Sequence, residues 1–104
     1  MGNTGMKADS LPEILAALKG LKEEVGRKYK AELKGIFGSY ARGEEKPGSD
    51  LDVLVEFHEG ANLIDLVGLS FYLEEKLHCP VDVVPQSALR EELRSAILQE
   101  AVAV

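Results

Sequence analysis

The chain has one cysteine, no tryptophan and four prolines in 104 residues. It also has no apolar run near the roughly 20 residues that a bilayer span needs. Cys79 alone can form no internal disulfide and no cysteine zinc cage, which excludes disulfide scaffolds and zinc fingers and suits a reducing, cytoplasmic setting. The opening MGNTGMKADS lacks the apolar stretch of a signal peptide, and Met6 stands where a myristoylation motif wants Ser or Thr. Positive charge is scarce too. Twelve Lys and Arg against eighteen Asp and Glu leave a net charge of −6, which argues against direct nucleic-acid binding. There is no repeat and no low-complexity tract. The expectation is one globular domain over 10–104 behind a flexible tail of residues 1–9.

The charge is unevenly placed. Residues 19 to 46 carry eight basic and five acidic side chains, a balance of +3, which leaves −9 for the rest. Two ordinary solvated faces would give this pattern, and so would a basic half arranged around a bound polyphosphate.

Periodicity sets out the elements. Ser10-Leu11-Pro12-Glu13 carries a cap, a first-turn proline and a glutamate three residues after the cap. Leu11, Ile14, Leu15, Leu18, Leu21 and Val25 then recur at helical spacing, with Gly26 a candidate end. Leu33 to Phe37 reads as a strand. From Asp50 to Phe57 the alternation is strict: Leu51, Val53, Val55 and Phe57 on one face, Asp50, Asp52, Leu54 and Glu56 on the other. Asn62 caps a second helix with a stripe of Leu63, Leu66, Leu69, Leu73 and Leu77, ended by Pro80. Val81 to Val84 is a short strand closed by Pro85, and Ser87 is the expected cap of a last helix with Leu89, Leu93, Ile97 and Ala101 in line. The pattern predicts an α+β fold, a small mixed sheet with helices on one face. The second and third strands, joined through a helix, should be parallel.

The chemistry concentrates in carboxylates. Asp50 and Asp52, two apart on a strand, point the same way about 6–7 Å apart. Like charges so placed repel unless a cation lies between them or one takes a proton. Hard oxygen ligands without His or Cys favour Mg²⁺, with Mn²⁺ as substitute. A bare D-x-D can equally be two exposed residues at a strand entry. Asp82 adds a third carboxylate inside an apolar strand, where a charge is costly without water, a partner or a metal. If the two strands are neighbours, Asp50, Asp52 and Asp82 converge, as two divalent ions require. Gly38-Ser39, after the first strand, can admit a phosphate to the backbone and donate to it. Arg42 either lies near that phosphate or braces the loop against Glu44 or Asp50. His58 and His78 lack metal-ligand spacing, and Cys79, next to Pro80, is read as a packing residue.

Taken together, Gly38-Ser39-x-Ala41-Arg42-Gly43, then Ser49-Asp50-x-Asp52 leading a strand, then Asp82 in a later one, resembles the minimal nucleotidyltransferases of the DNA polymerase β superfamily. The resemblance implies that Gly38 and Ser39 hold nucleotide phosphates, with Arg42 beside them. It also implies that Asp50, Asp52 and Asp82 are catalytic and bind two Mg²⁺ ions. It implies ATP as substrate and, since stand-alone members are often paired with a helical HEPN toxin, adenylylation of a tyrosine on such a partner. Two alternatives are a non-catalytic module that masks its partner and a transferase acting on a small molecule or RNA, with a homo-oligomer completing the acceptor pocket. A D-x-D phosphatase is excluded, because there the Asp pair ends an apolar strand and here it begins one.

Overall fold

The structure, a computed structural model, describes residues 10–104; the expected tail, 1–9, lies outside them. Helix α1 (Leu11–Tyr29) starts as its sequence predicts. Ser10 Oγ accepts from the Glu13 amide and the Glu13 carboxylate accepts from the Ser10 amide, both at 3.3 Å, so two otherwise unpaired helix-end donors are satisfied. Gly26 does not end the helix. It runs a further turn to Tyr29, where Lys30 takes the left-handed conformation at φ 55°.

Strand β1 (Ala31–Phe37) leads through the short helix α2 (Ser39–Arg42) to β2 (Leu51–Phe57), and α3 (Leu63–Leu77) leads to β3 (Val81–Pro85). A 3₁₀ turn (Gln86–Ala88), α4 (Glu91–Glu100) and a two-residue strand β4 (Val102–Ala103) complete the order. The sheet runs β3-β2-β1-β4, with β2 and β3 parallel, as expected, and both other pairs antiparallel. The fold is thus α+β with a mixed four-stranded sheet. No helix of the described residues is long and apolar enough to cross a membrane.

The core forms where α1 and α3 pack on each other and on the sheet. Ile14, Leu18, Val25, Leu33, Ile36, Val53, Val55, Leu69 and Leu73 are all fully buried or within 1% of it. Tyr72 ties the two helices: its hydroxyl donates to Glu24 at 2.6 Å and its ring lies 5.3 Å from that of Tyr29. Burial and that hydrogen bond push the Tyr72 phenol up to about 12.

Two further expectations need correction, and two features were not foreseen. Leu63 is 70% exposed: at 100° per residue it lies 120° around the helix from Leu69, off the line that Leu69, Tyr72, Leu73 and Leu77 bury. Leu54, placed on the face of Asp50, Asp52 and Glu56, does lie outside the main core, yet it is only 1% exposed there. Ser87 does not cap the last helix; it lies in the 3₁₀ turn, and α4 begins after Arg90 with no side-chain cap and no buried residue. Strand β4 was not anticipated. Gly35 admits it: a Cβ there would stand 2.7 Å from the Val102 carbonyl oxygen.

Leu73→Ala, which empties a fully buried site, should cost about 2–5 kcal/mol in urea unfolding. Tyr72→Phe should lower the melting temperature at neutral pH and also flatten its alkaline fall. The raised phenol keeps its proton when the unfolded one, near pH 10, has lost it, so wild-type stability should decline from about pH 10 through about 12. Thermal melts of both proteins between pH 8 and 11 check this.

Candidate functional site

Gly38 ends β1 at φ 79° and ψ −151°, a left-handed, glycine-favouring geometry. The position is closed to a side chain in a second way, since a Cβ at Gly38 would overlap the Asp52 carboxylate. The four-residue helix α2 follows, with the Arg42 amide donating to the Gly38 carbonyl at 3.1 Å and Gly43 capping the end at φ 73°. Ser49 closes the next turn. Its hydroxyl accepts from the Lys46 amide and its amide donates to the Lys46 carbonyl, both at 2.8 Å. That turn delivers the chain to Asp50 and into β2.

Pairing then places the carboxylates. Asp52 lies opposite Phe37, the residue before Gly38, and opposite Asp82 on the parallel strand β3. Residues in register share a face at neighbouring-strand spacing of about 4.8 Å. Asp52 is half-buried, while Asp50 and Asp82 are exposed. Burial raises the pKa of Asp52 first, then the charges of Asp82 and Asp50, with Arg42 opposing. The three sequence-predicted carboxylates are therefore electrostatically coupled. They do not form a closed cage: among the described residues no three His, Cys, Asp or Glu side chains gather tightly enough to hold a metal by themselves.

Arg42 stands at this site in two ion pairs, with Glu44 at 2.9 Å and Glu100 at 2.6 Å, which hold its pKa up. The Glu44 contact is the loop brace that spacing suggested; Glu100, 58 residues away, carried no sequence signal. Glu74 was missed as well. Its carboxylate accepts from the Val81 amide at 3.0 Å and so fixes the start of the strand that carries Asp82. Both contacts depend on tertiary placement, which periodicity does not encode. His58 and His78 are exposed, the latter ending α3 at φ 58°, and Cys79 is buried.

The chain is similar to known proteins in both sequence and fold. Residues 18–104 match the family described as the nucleotidyltransferase domain. The protein adenylyltransferase MntA of Thermococcus cleftensis is 39% identical over 95 residues, 91% of this chain and 96% of its own. A Methanocaldococcus jannaschii protein, assigned as a protein adenylyltransferase, is 54% identical over 69 residues, 66% of this chain and 74% of its own. A solved structure assigned as a minimal nucleotidyltransferase superposes with a TM-score of 0.77 at 35% identity, over 98% of this chain and 100% of that one. A toxin–antitoxin complex with AMP-PNP shares the fold at 24% identity and a TM-score of 0.64, over 78% of this chain and 67% of that one.

Replacing Asp52 by Asn removes a charge that burial and two like charges disfavour, so the variant should melt higher than wild type at pH 7 without divalent ions. The gain should vanish at low pH. Because the folded pKa is raised, wild-type stability falls as pH climbs from the unfolded value near 3.8 through the folded one. Thermal melts in EDTA from pH 3 to 8 read both.

Proposed function

The chain belongs to the nucleotidyltransferase domain family, and we propose that it moves AMP from ATP onto a hydroxyl, a tyrosine, of a partner protein, a toxin of the HEPN type. The observation that carries this reading is the register of Asp52 with Asp82 directly beside the bend at Gly38. A nucleotidyltransferase needs carboxylates and a phosphate-accepting backbone in one place, and the pairing of Asp52 with Asp82 beside Gly38 supports that role. The high identity to protein adenylyltransferases supports a protein acceptor.

The donor set suits a hard dication. It consists of three carboxylates without His or Cys, and their mutual repulsion already disfavours the charge of Asp52. Asp50, Asp52 and Asp82 would hold two Mg²⁺ ions, with Mn²⁺ as substitute. When bound, the ions neutralise triphosphate charge and make the acceptor hydroxyl more acidic. The open arrangement of the three side chains leaves room for phosphate oxygens among them.

The chain's own residues do the rest. Gly38, without a side chain, lets a phosphate oxygen approach the backbone, and the Ser39 hydroxyl donates to the β- and γ-phosphates. Arg42 exchanges Glu44 or Glu100 for phosphate. The acceptor oxygen attacks the α-phosphorus, the bond to pyrophosphate breaks, and the hydroxyl proton passes to the Asp82 carboxylate. This chemistry is mainly positioning and charge neutralisation, which a small scaffold can provide.

The test uses ATP labelled at the α-phosphate, Mg²⁺, this protein and the product of its neighbouring gene. Label should enter the partner in protease-sensitive form. Asp50→Asn and Asp52→Asn should each lower the transfer by about 100-fold or more, and EDTA should stop it. Label released by RNase instead would move the acceptor to RNA. Mg²⁺-dependent ATP binding with no transfer, and toxin neutralisation surviving Asp50→Asn, would leave a masking module.

A further inference from the structure

Helix α3 turns an apolar ridge to solvent. Leu63, Ile64, Val67 and Phe71 are 70%, 78%, 46% and 67% exposed. Contiguous apolar surface of this kind on a small soluble domain marks a place where something docks. The spacing of Ile64, Val67 and Phe71 gives a straight line of about two helical turns, the shape that packs against another helix.

The ridge is connected to the catalytic face. A shallow apolar groove of about 410 Å³ at Leu63, Ile64 and Val67 shares Leu63 with a second depression of about 270 Å³, floored by Phe57, Leu66 and Pro85. That depression shares Phe57 and Ser87 with a third, of about 250 Å³, bounded by Glu56, Gln86 and Arg94. Glu56 is on the same face of β2 as Asp52, about 13 Å along the strand, and Gln86 directly follows β3, the strand that carries Asp82. One track thus leads from α3 to the Glu56 and Gln86 ends of the two strands that carry Asp52 and Asp82.

Direction along that track follows from the chemistry. In an in-line transfer the attacking oxygen enters opposite the leaving group. With pyrophosphate held at Gly38–Ser39, beyond one end of β2, the acceptor comes from the Glu56 and Gln86 end. Gln86 Oε1 is buried there without a hydrogen-bond partner, so an incoming backbone N–H has an acceptor to meet once the amide turns into the depression.

We infer that the α3 ridge and this track are the docking surface for the protein acceptor. A helix of the partner packs on Leu63, Ile64, Val67 and Phe71, and an extended segment beside it runs past Phe57 and Gln86 to present its hydroxyl at Asp82. Glu75, one turn beyond Phe71, and Glu59, ahead of the α3 cap, are exposed and make no ion pair among the described residues. The docking helix therefore carries Lys or Arg flanking its apolar face. The inference rests on the proposed protein acceptor.

The experiment measures binding of the purified HEPN-type partner by calorimetry, and separately the KM for that partner in AMP transfer. Ile64→Asp and Phe71→Asp change exposed side chains, so folding, verified by thermal melts, and affinity for a non-hydrolysable ATP analogue should be unchanged. Partner affinity should drop about tenfold or more, with a matching rise in KM. Leu93→Asp, at a leucine of α4 that is 49% exposed and off the ridge, should behave as wild type. Unchanged partner affinity in Phe71→Asp, or no binding of the partner by wild type, overturns the docking surface. So does a wild-type dimer in light scattering that Phe71→Asp converts to monomer, because a second copy then covers the ridge. If wild type binds the partner, Phe71→Asp does not, and no AMP is transferred, the docking surface stands and the adenylyl-transfer reading falls.

Discussion

The structure turns on one repulsive arrangement, a half-buried Asp52 carboxylate set in register with Asp82 and two residues from Asp50. A sheet gains nothing in stability from placing like charges on adjacent strands. The surrounding elements nonetheless hold the arrangement firmly. Parallel pairing from Leu51–Val81 to Val55–Pro85 fixes the register, and Glu74 pins the start of β3 through the Val81 amide. Gly38 gives up its side chain so that the Asp52 carboxylate can lie against the backbone. The stability that this site forgoes comes from the opposite face of the same strands, where Leu51, Val53 and Val55 are fully buried under α1 and α3. Alternation along β2 therefore does two jobs in seven residues.

That division explains which parts were legible in the sequence. Caps with their own chemistry, Ser10 with Glu13 and Asn62 with Asp65, could be read directly because the partners are three residues apart. The D-x-D spacing and the apolar alternation of β2 were legible for the same local reason. The burial of Leu54 was not legible, because alternation assigns a face and not what covers it. Strand β4 pairs through two residues only, too few to leave a period. Glu100 reaches Arg42 from the far end of the chain, and Tyr72 reaches Glu24 across two helices. Such contacts are set by packing, and a single sequence carries no local trace of them.

The uneven charge resolves in favour of solvated faces for most of the basic segment. Lys28 pairs with Glu24 and Lys34 with Glu32 and Glu56 in exposed contacts of little energetic weight, and Lys30 pairs with the more covered Asp65. Arg42 differs by position. Its two acidic partners hold a guanidinium at the mouth of the carboxylate site, where its field partly offsets the repulsion felt by Asp52. A cation already held by carboxylates is a ready exchange partner for phosphate, since each oxyanion replaces another with the same hydrogen-bond geometry.

A domain of this length buries too little to enclose an acceptor as well as a nucleotide. One sheet, two covering helices and a four-residue helix after the Gly38 bend take up most of the chain. Two features that look like faults in an isolated fold follow from that limit. The carboxylates remain open instead of closing into a cage, and α3 buries only one of its two apolar sides. An open carboxylate cluster leaves space for phosphate oxygens and a foreign hydroxyl, and an uncovered ridge offers a place to hold the molecule that brings it. Both are economical if the remaining walls of the site belong to another protein. The depressions joining Leu63 to Phe57 and Phe57 to Gln86 carry the ridge's surface as far as the ends of the two strands that bear Asp52 and Asp82.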